Sequence, residues 1–433
     1  MDEQFEVIVV GAGPAGSAAA YVLARAGVKV LVLERGESPG AKNVMGGILY
    51  PRMLEEIVPG ATREAPLERP IVEQQFWMLT ETAAFKVGYR SERFRESPSA
   101  FSVLRAKFDP WFAGKAVEAG ALLVNETLVE DLIWQDGRVA GVRTGRGDGE
   151  VYADVVIVAA GVNTLNSLYS GAAAGREGIE TDQVALAAKE VIALPAEKIE
   201  DRFGLPRGQG VAIELIGDAC KGLTGTAFIY TNRDSVSIGV GAMLSDMAKA
   251  GVRPYDLLEH LKSHPMVRPL IEGGETKEYL AHLIPEGGYN AVPRVYDHGL
   301  LVCGDAAMLV NSLHREGSNL AMTSGRLAAE AVLAVREKKD YSRESLSLYR
   351  RKLEESFVLR DLKHYRRIPR FLERTPALFT TYPQAIAEAL GEIMTVDGVP
   401  KAAKLHRALR AVLSRRSAGQ ILFDLYRGGR AVW

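Results

Sequence analysis

Cysteine is nearly absent: the 433-residue chain holds two, Cys220 and Cys303. Two thiols cannot supply a four-cysteine iron–sulfur cluster or a cysteine-rich zinc site within this chain. A disulfide between them is not expected, because a cytosolic chain keeps its thiols reduced. Cys303, inside LLVCGD, reads as a small buried strand residue. Histidine is scarce too, with seven copies and no HExxH pattern. His260 and His264 in HLKSH stand i, i+4 apart with no carboxylate between them, and read as an exposed helix end before Pro265. No apolar run approaches the roughly 18 residues that a spanning helix needs, and mean hydropathy is −0.02. The opening MDEQFEVIVV carries acids and no basic segment, so no secretory signal is expected there. Low-complexity segments and internal repeats do not stand out.

What is present is the balance of a soluble globular chain, 47% hydrophobic and 25% charged. The length exceeds one ordinary core and implies two or three structural units. Net charge is −1, yet Tyr341–Trp433 holds 18 Lys and Arg against 9 Asp and Glu, leaving 35 against 45 before it. A basic tail of this size suits an anionic membrane surface or an acidic protein, and equally a solvated helical face.

Phe5–Val10 (FEVIVV) is an apolar, β-branched run of strand length. It enters Gly11-Ala12-Gly13-Pro14-Ala15-Gly16, then an alanine-rich helix ending at Gly27, then a second strand, Val28–Leu33, closed by Glu34. Strand, glycine turn, helix, strand and acid within about 30 residues form a dinucleotide-binding pattern. Gly11 makes the turn, Gly13 lets backbone approach a pyrophosphate, and Gly16 packs helix on strand. The helix start, with Pro14 and Ala15 in its first turn, offers free N–H groups to phosphate. Glu34 is placed to accept from both ribose hydroxyls and to repel a 2′-phosphate, which disfavours NADP. The pattern alone does not separate NAD from FAD.

Two later segments add to it. Asp154–Gly161 (DVVIVAAG) is a strand running into a tight loop at Ala160 and Gly161, and Leu300–Ala307 (LLVCGDAA) delivers Gly304 and Asp305 at a strand's C-terminal end. Open α/β sheets bind ligands at that end. Asp305 is a candidate acceptor for ribityl hydroxyls or, more plainly, a helix cap.

These segments, with Gly317-Ser318-Asn319 at the head of an apolar helix, resemble the FAD signatures of p-hydroxybenzoate hydroxylase-type flavoproteins. The resemblance implies FAD, with Gly304 and Asp305 at the ribitol and pyrophosphate and Gly317, Ser318 and Asn319 under the isoalloxazine. It also implies that Arg105, in VLRAKFDPWF, lies beside the phosphates and that Leu128 lies on a strand touching adenine. The chain departs from the hydroxylases at Ala160-Gly161 and Asn311-Ser312, and it lacks the tryptophan patterns of halogenases and geranylgeranyl reductases.

Lys42–Tyr50 (KNVMGGILY), Gly217–Asn232 (GDACKGLTGTAFIYTN) and Ala281–Gly288 (AHLIPEGG) resemble FixC proteins of the electron-transfer-flavoprotein:quinone oxidoreductase family. The implied fold class is α/β: a Rossmann-like FAD domain of the glutathione-reductase/p-hydroxybenzoate hydroxylase type, an inserted antiparallel β substrate domain, and a C-terminal helical region. The expected boundaries are 1–73, 101–165 and 293–340 for the FAD domain, 74–100 and 166–292 for the quinone domain, and 341–433 for the helices. Alternation in VALAAKEVIAL and AFIYTNRDSVSIGVGAM supports the antiparallel sheet.

The resemblance further implies a function. Electrons would pass from a two-subunit electron-transfer flavoprotein through FAD to a membrane quinone, with this chain as one subunit of a complex. Single-chain relatives end in a ferredoxin-like domain with four cysteines, so a [4Fe-4S] cluster is expected only on a small ferredoxin-like (FixX-like) partner. Arg35, Lys42, Gly46 and Gly47 are expected beside the cofactor, the glycines letting backbone lie against the isoalloxazine. Ile284, Pro285, Gly287 and Gly288 are expected to wall the quinone cavity, and His314 to deliver a proton to the reduced quinone. No metal site in this chain and no nucleic-acid partner are expected. Attachment would be peripheral, at the cytoplasmic face of the membrane, with Pro376–Met394 dipping into the interface or packing in a core. The rival readings are a prenyl-chain reductase of the same fold and a flavoprotein subunit that only relays electrons or scaffolds a complex.

Overall fold

The computed structural model describes residues 5–42, 45–147, 149–163, 168, 175, 178–311 and 313–433. Asn43, Val44 and Ser312, from segments singled out above, lie outside the described residues. The chain divides into two units: Met1–Glu68 with Ser99–Val184 and His282–Tyr365, and Arg69–Pro98 with Ala185–Ala281 and Arg366–Trp433.

The first unit is built on β1 (Phe5–Val10), α1 (Pro14–Arg25), β2 (Val30–Leu33), α2 (Arg105–Glu118), β3 (Leu122–Val124), β4 (Glu150–Val158), β5 (Leu300–Val302) and α3 (Ser318–Arg336). The strands lie in the order β5-β4-β1-β2-β3, all parallel. Val7 to Val10 and Val155 to Val158 are buried, as central parallel strands covered on both faces must be. Strand β2 begins two residues later than its apolar run predicts. The Val28 N–H is spent on the Leu23 carbonyl (3.1 Å) at the end of α1, so pairing starts at Val30. Helices α1 and α3 cross closely, since a Cβ on Gly325 would fall 2.0 Å from the Ala15 carbonyl oxygen. The alanines of α1 permit that approach.

In the second unit, Val184–Ala193, Ser235–Met243, Gly225–Thr231 and Gly210–Gly217 pair antiparallel in succession. Leu67–Leu79 then joins Gly210–Gly217 in parallel, so the sheet is mixed rather than purely antiparallel as expected. A parallel pair needs a long crossover, and the chain between Leu79 and Gly210 supplies one. The core of this unit gathers Trp77, Ile213, Leu215, Ile229 and Ile238 under the helix Pro254–Ser263, which adds Leu257, Leu258 and Leu261. The chain closes with α4 (Thr381–Met394), α5 (Lys401–Arg415) and α6 (Ala418–Val432). Pro383 and Ala385 of α4 are buried, and a Cβ on Gly217 would stand 3.2 Å from Pro383, so α4 begins against the end of a sheet strand. Among the described residues no helix is long and apolar enough to cross a membrane.

Candidate functional site

Register sets the site. Leu33, Val10, Val158 and Val302 stand opposite one another across β2, β1, β4 and β5. The residues that follow them are therefore lined up along one edge: Glu34, the Gly11–Gly16 turn, the Ala160-Gly161 loop and Gly304-Asp305. Gly11 has φ +99°, and a Cβ there would meet the Ala159 carbonyl oxygen at 2.6 Å. Gly16 is fixed more tightly, its Cβ position 1.8 Å from the Gly11 carbonyl oxygen. Gly13 differs, for a Cβ there meets no atom within 4 Å. Its backbone thus faces open space at the start of α1, where an incoming diphosphate would lie. The buried Glu34 carboxylate accepts the Ala12 N–H at Oε2 (2.9 Å) and the Gly36 N–H at Oε1 (2.8 Å). It braces the glycine turn from within, and each oxygen retains one lone pair for a hydroxyl.

Arg105 is not a surface arginine. It opens α2, is buried, and forks onto Asp109 one turn on, Nε to Oδ1 at 2.6 Å and Nη2 to Oδ2 at 2.7 Å. Nη1 donates to the Met45 carbonyl at 2.6 Å. Burial works against the guanidinium charge, but Asp109 and then Asp305 outweigh it and leave its pKa raised. Burial pushes the Asp109 carboxyl up, with Arg105 opposing. Asp305 is pushed up to about 6 by burial, again opposed by Arg105. It lies in the short turn Gly304–Ala307, whose start has no side-chain cap, so Asp305 is not the cap that a plain reading allows. Gly304 donates its N–H to Ser324 Oγ (3.0 Å), and a Cβ on it would lie 2.9 Å from that of Ala15.

The head of α3 closes this edge. A Cβ on Gly46 (φ +82°) would meet Ser318 Oγ at 2.9 Å and Arg105 Nη1 at 3.0 Å. Three predicted residues from distant segments thus converge. Gly47 is buried and its carbonyl accepts the Val103 N–H (2.9 Å). Gly317 precedes α3 without a side-chain cap. Asn319 Oδ1 and Asn311 Nδ2 are buried without a hydrogen-bond partner. Each such atom costs about 1–3 kcal/mol unless a ligand satisfies it. The glycine cradle, the open face at Gly13 and these two orphaned atoms fit a flavin dinucleotide.

Arg35 and Lys42 are exposed. Leu128 lies in the loop ahead of the strand Val129–Gln135, not on it, with its side chain 52% exposed; the neighbouring Thr127 N–H is held by the Glu34 carbonyl (2.9 Å). Ile284 and Pro285 end the strand Glu275–Pro285, half-buried and buried respectively. Gly287 and Gly288 form the turn after it: a Cβ on Gly287 would clash with Ala291 at 2.4 Å, and Gly288 has φ +62°. His314 sits exposed in the turn closed by the Asn311–Glu316 bridge, its ring edge-on to Tyr365 at 5.0 Å. His264 is buried rather than exposed. Its Nδ1 accepts the Met266 N–H (3.1 Å), so Nε2 donates to the Thr80 carbonyl (2.7 Å) and neither nitrogen is left for a metal. His260 Nε2 lies 2.8 Å from Asp218 Oδ2. Among the described residues no cluster of His, Cys, Asp and Glu could hold a metal ion. Burial pushes both cysteine thiols up to about 12.

Two residues were missed. Asp109 is legible as an Arg-to-Asp i, i+4 pair in RAKFD. His282 lies within the noticed AHLIPEGG, two positions before Ile284 and so on the same face of its strand. Burial, then the charges of Arg105 and Arg35, lower His282 to about 4.

Fold and site define a dinucleotide-binding α/β oxidoreductase of the FAD-dependent type. A structure titled a geranylgeranyl bacteriochlorophyll reductase-like protein, from Thermoplasma acidophilum, shares the fold at TM-score 0.70 and 20% identity, covering 98% of this chain and 99% of that one. The flavin-dependent brominase Bmp2 shares it at TM-score 0.65 and 18% identity, over 95% and 100%. Residues 368–433 match the ETF-QO/FixC family C-terminal domain, and residues 3–61 match the Thi4 family. Protein FixC of Azorhizobium caulinodans is 50% identical over 100% of this chain and 99% of its own. Protein FixC of Azotobacter vinelandii is 46% identical over 100% of both. A probable electron transfer flavoprotein-quinone oxidoreductase, YdiS of Escherichia coli K12, is 41% identical over 92% of both. The chain belongs to the FixC branch of the electron-transfer-flavoprotein:quinone oxidoreductase family.

Proposed function

We propose that this chain passes electrons from an electron-transfer flavoprotein to a membrane quinone through bound FAD, as the FixC-type subunit of a larger complex. The observation that carries the reading is the convergence of Gly46, Ser318 and the Asp109-locked Arg105 at the strand ends. A permissive backbone, a helix N-terminus and a fixed cation meet there. Full-length likeness to FixC proteins and to a named quinone oxidoreductase supports the same reading.

The Gly11–Gly16 turn and the head of α1 would hold the pyrophosphate, with Arg105 beside it, Glu34 at the ribose and Asp305 at the ribitol. Asn311, Gly317, Ser318 and Asn319 would meet the polar edge of the ring. When bound, FAD supplies the electron chemistry, taking or giving electrons singly or in pairs. The protein's own part is to position it and keep water away. His282 is neutral at pH 7 because burial and two arginines disfavour its proton. Near the cofactor it would stay uncharged and offer a hydrogen-bond partner rather than carry a proton, and the exposed His314 would serve as the entry point for protons that quinone reduction consumes. Ile284, Pro285 and the Gly287-Gly288 turn would border the quinone. The [4Fe-4S] cluster would reside on a small ferredoxin-like partner, and the assembly would sit at the cytoplasmic face of the membrane.

The test is co-purification from native membranes with flavin and iron analysis. A two-subunit flavoprotein, a small iron–sulfur protein and quinone-dependent reoxidation of the FAD are expected. A lone flavoprotein that ignores quinones and saturates a prenyl lipid would overturn the proposal. An FAD that neither substrate reoxidises would leave only a relay or scaffold.

A further inference from the structure

We propose that Glu316 is the positioning residue that aims the two orphaned amides, Asn311 and Asn319, at the pyrimidine edge of the bound flavin. The inference rests on the FAD reading above. Asn311 and Asn319 are 3% and 2% exposed, and neither Asn311 Nδ2 nor Asn319 Oδ1 has a hydrogen-bond partner. One is a donor and the other an acceptor, yet they do not bond each other. Both residues are tied to Glu316. Its N–H donates to the Asn311 carbonyl (3.1 Å) and its carbonyl accepts the Asn311 N–H (2.8 Å). Its carboxylate accepts from the Asn319 side chain. Since Oδ1 is the unpartnered atom, that bond comes from Nδ2, and the amide oxygen is turned away from Glu316. An amide free to rotate offers either atom; this one is fixed as an acceptor.

The chemistry fits the ligand. A flavin's pyrimidine ring carries one N–H flanked by two carbonyls, so an acceptor and a donor together complement it. Asn319 follows Ser318 at the head of α3, and the Ser318 hydroxyl already converges with Gly46 and Arg105, so the fixed acceptor belongs to the same edge. Glu316 is also poorly suited to a purely structural role. Burial, then the like charge of Asp361 on the helix Phe357–His364, push its half-buried carboxyl up, and the Asn319 bond opposes them only in part. The ionised form thus works against the fold, which is the pattern of a group set for a site rather than for stability.

Full-length protein stripped of flavin is titrated with FAD, or with FAD carrying a methyl group on the pyrimidine N–H nitrogen, and binding is followed by flavin fluorescence. Wild type should prefer FAD by at least about tenfold, the worth of one buried hydrogen bond. In Glu316→Ala the preference should fall to within about threefold, whereas a merely steric clash with the methyl group would persist. Glu316→Gln still accepts from Asn319 Nδ2 and should keep the wild-type preference. Asn319→Ala should lose as much as Glu316→Ala, and the double variant no more than either. Should Glu316→Ala fail to fold, Glu316→Leu, which fills similar space and accepts no hydrogen bond, takes its place. A Glu316→Ala protein with the wild-type preference overturns the proposal. So does a Glu316→Gln protein that loses as much as the alanine variant, since positioning asks for an acceptor and not for a charge. Equal binding of both flavins by wild type also overturns it, and leaves the functional reading intact. A wild type that prefers FAD while its bound flavin ignores quinones would sink the functional reading and leave Glu316 in this role.

Discussion

Asp109→Asn removes one half of a buried charge pair whose other half cannot adapt. Arg105 keeps its proton under all conditions in which proteins fold. Both side chains are buried, 6% and 1% exposed, and the two bonds between them span 2.6 and 2.7 Å. Stranding the guanidinium should cost about 3–5 kcal/mol. The reverse change, Arg105→Met, should cost less, because Asp109 can take a proton and burial already pushes its carboxyl up. The sign of the pH dependence follows. With Arg105 gone, the folded-state pKa of Asp109 stands above its unfolded value. Stability is then retained below the unfolded pKa and lost as pH rises towards the folded one, at about 1.4 kcal/mol per pH unit. The double variant Arg105→Met/Asp109→Leu should recover most of the loss, since an apolar pair of similar volume carries no desolvation cost. Urea unfolding followed by tryptophan fluorescence checks this; Trp111 lies on α2 itself. Asp109→Asn costing under about 1 kcal/mol, or a pH-independent loss in Arg105→Met, would refute the reasoning.

Gly13→Ala should fold normally, since its methyl group meets no protein atom within 4 Å. It should nevertheless retain FAD at least about tenfold less well through gel filtration; undiminished flavin content would show that Gly13 does not face the cofactor. Glu34→Gln leaves one acceptor oxygen where two backbone amides now bond, which should cost about 1–3 kcal/mol in urea unfolding. Asp305, at about 6, contributes stability below its unfolded pKa that is lost as pH rises through 6, whereas His282, at about 4, contributes above its unfolded pKa and loses it as pH falls through 4. Each effect is at most roughly 3 kcal/mol. They oppose one another between these pH values, so His282→Gln should make stability fall more steeply with rising pH there, and Asp305→Asn should make it rise. Identical pH slopes in the two variants would contradict both assignments.

The nucleotide half was legible because its signals are local. Gly16 answers to the Gly11 carbonyl within the same turn, and the buried strands show as unbroken aliphatic runs at 155–158 and 300–302. The alternation that marks the second unit's strands was equally readable, but period-two patterning is blind to strand direction, and so the parallel pair escaped it. What the pattern could not convey was which polar group meets which. The bonds of Glu34 to the amides of Ala12 and Gly36, and the use of both His264 nitrogens, depend on chain that arrives from elsewhere. His314 drew notice as the histidine nearest Ser318 in sequence, while His282 reaches Arg105 only through the fold. Arg105 was identified by resemblance, and its locking partner Asp109 stood four residues away unread.

On the ribosome, β1, β2 and β3 can pair once Val124 has emerged, and β4 can join at Val158. The outer edge of Val156–Val158 has to wait for Leu300–Val302. At bacterial-scale synthesis rates that interval lasts roughly 7 to 30 seconds. For that time a β-branched, uncharged strand edge stands open to any similar edge on a neighbouring nascent chain. Substitutions that weaken β5 should accordingly register as lost soluble yield before they register as weakened cofactor binding. Translation speed across 159–299 becomes a determinant of how much active protein a cell obtains.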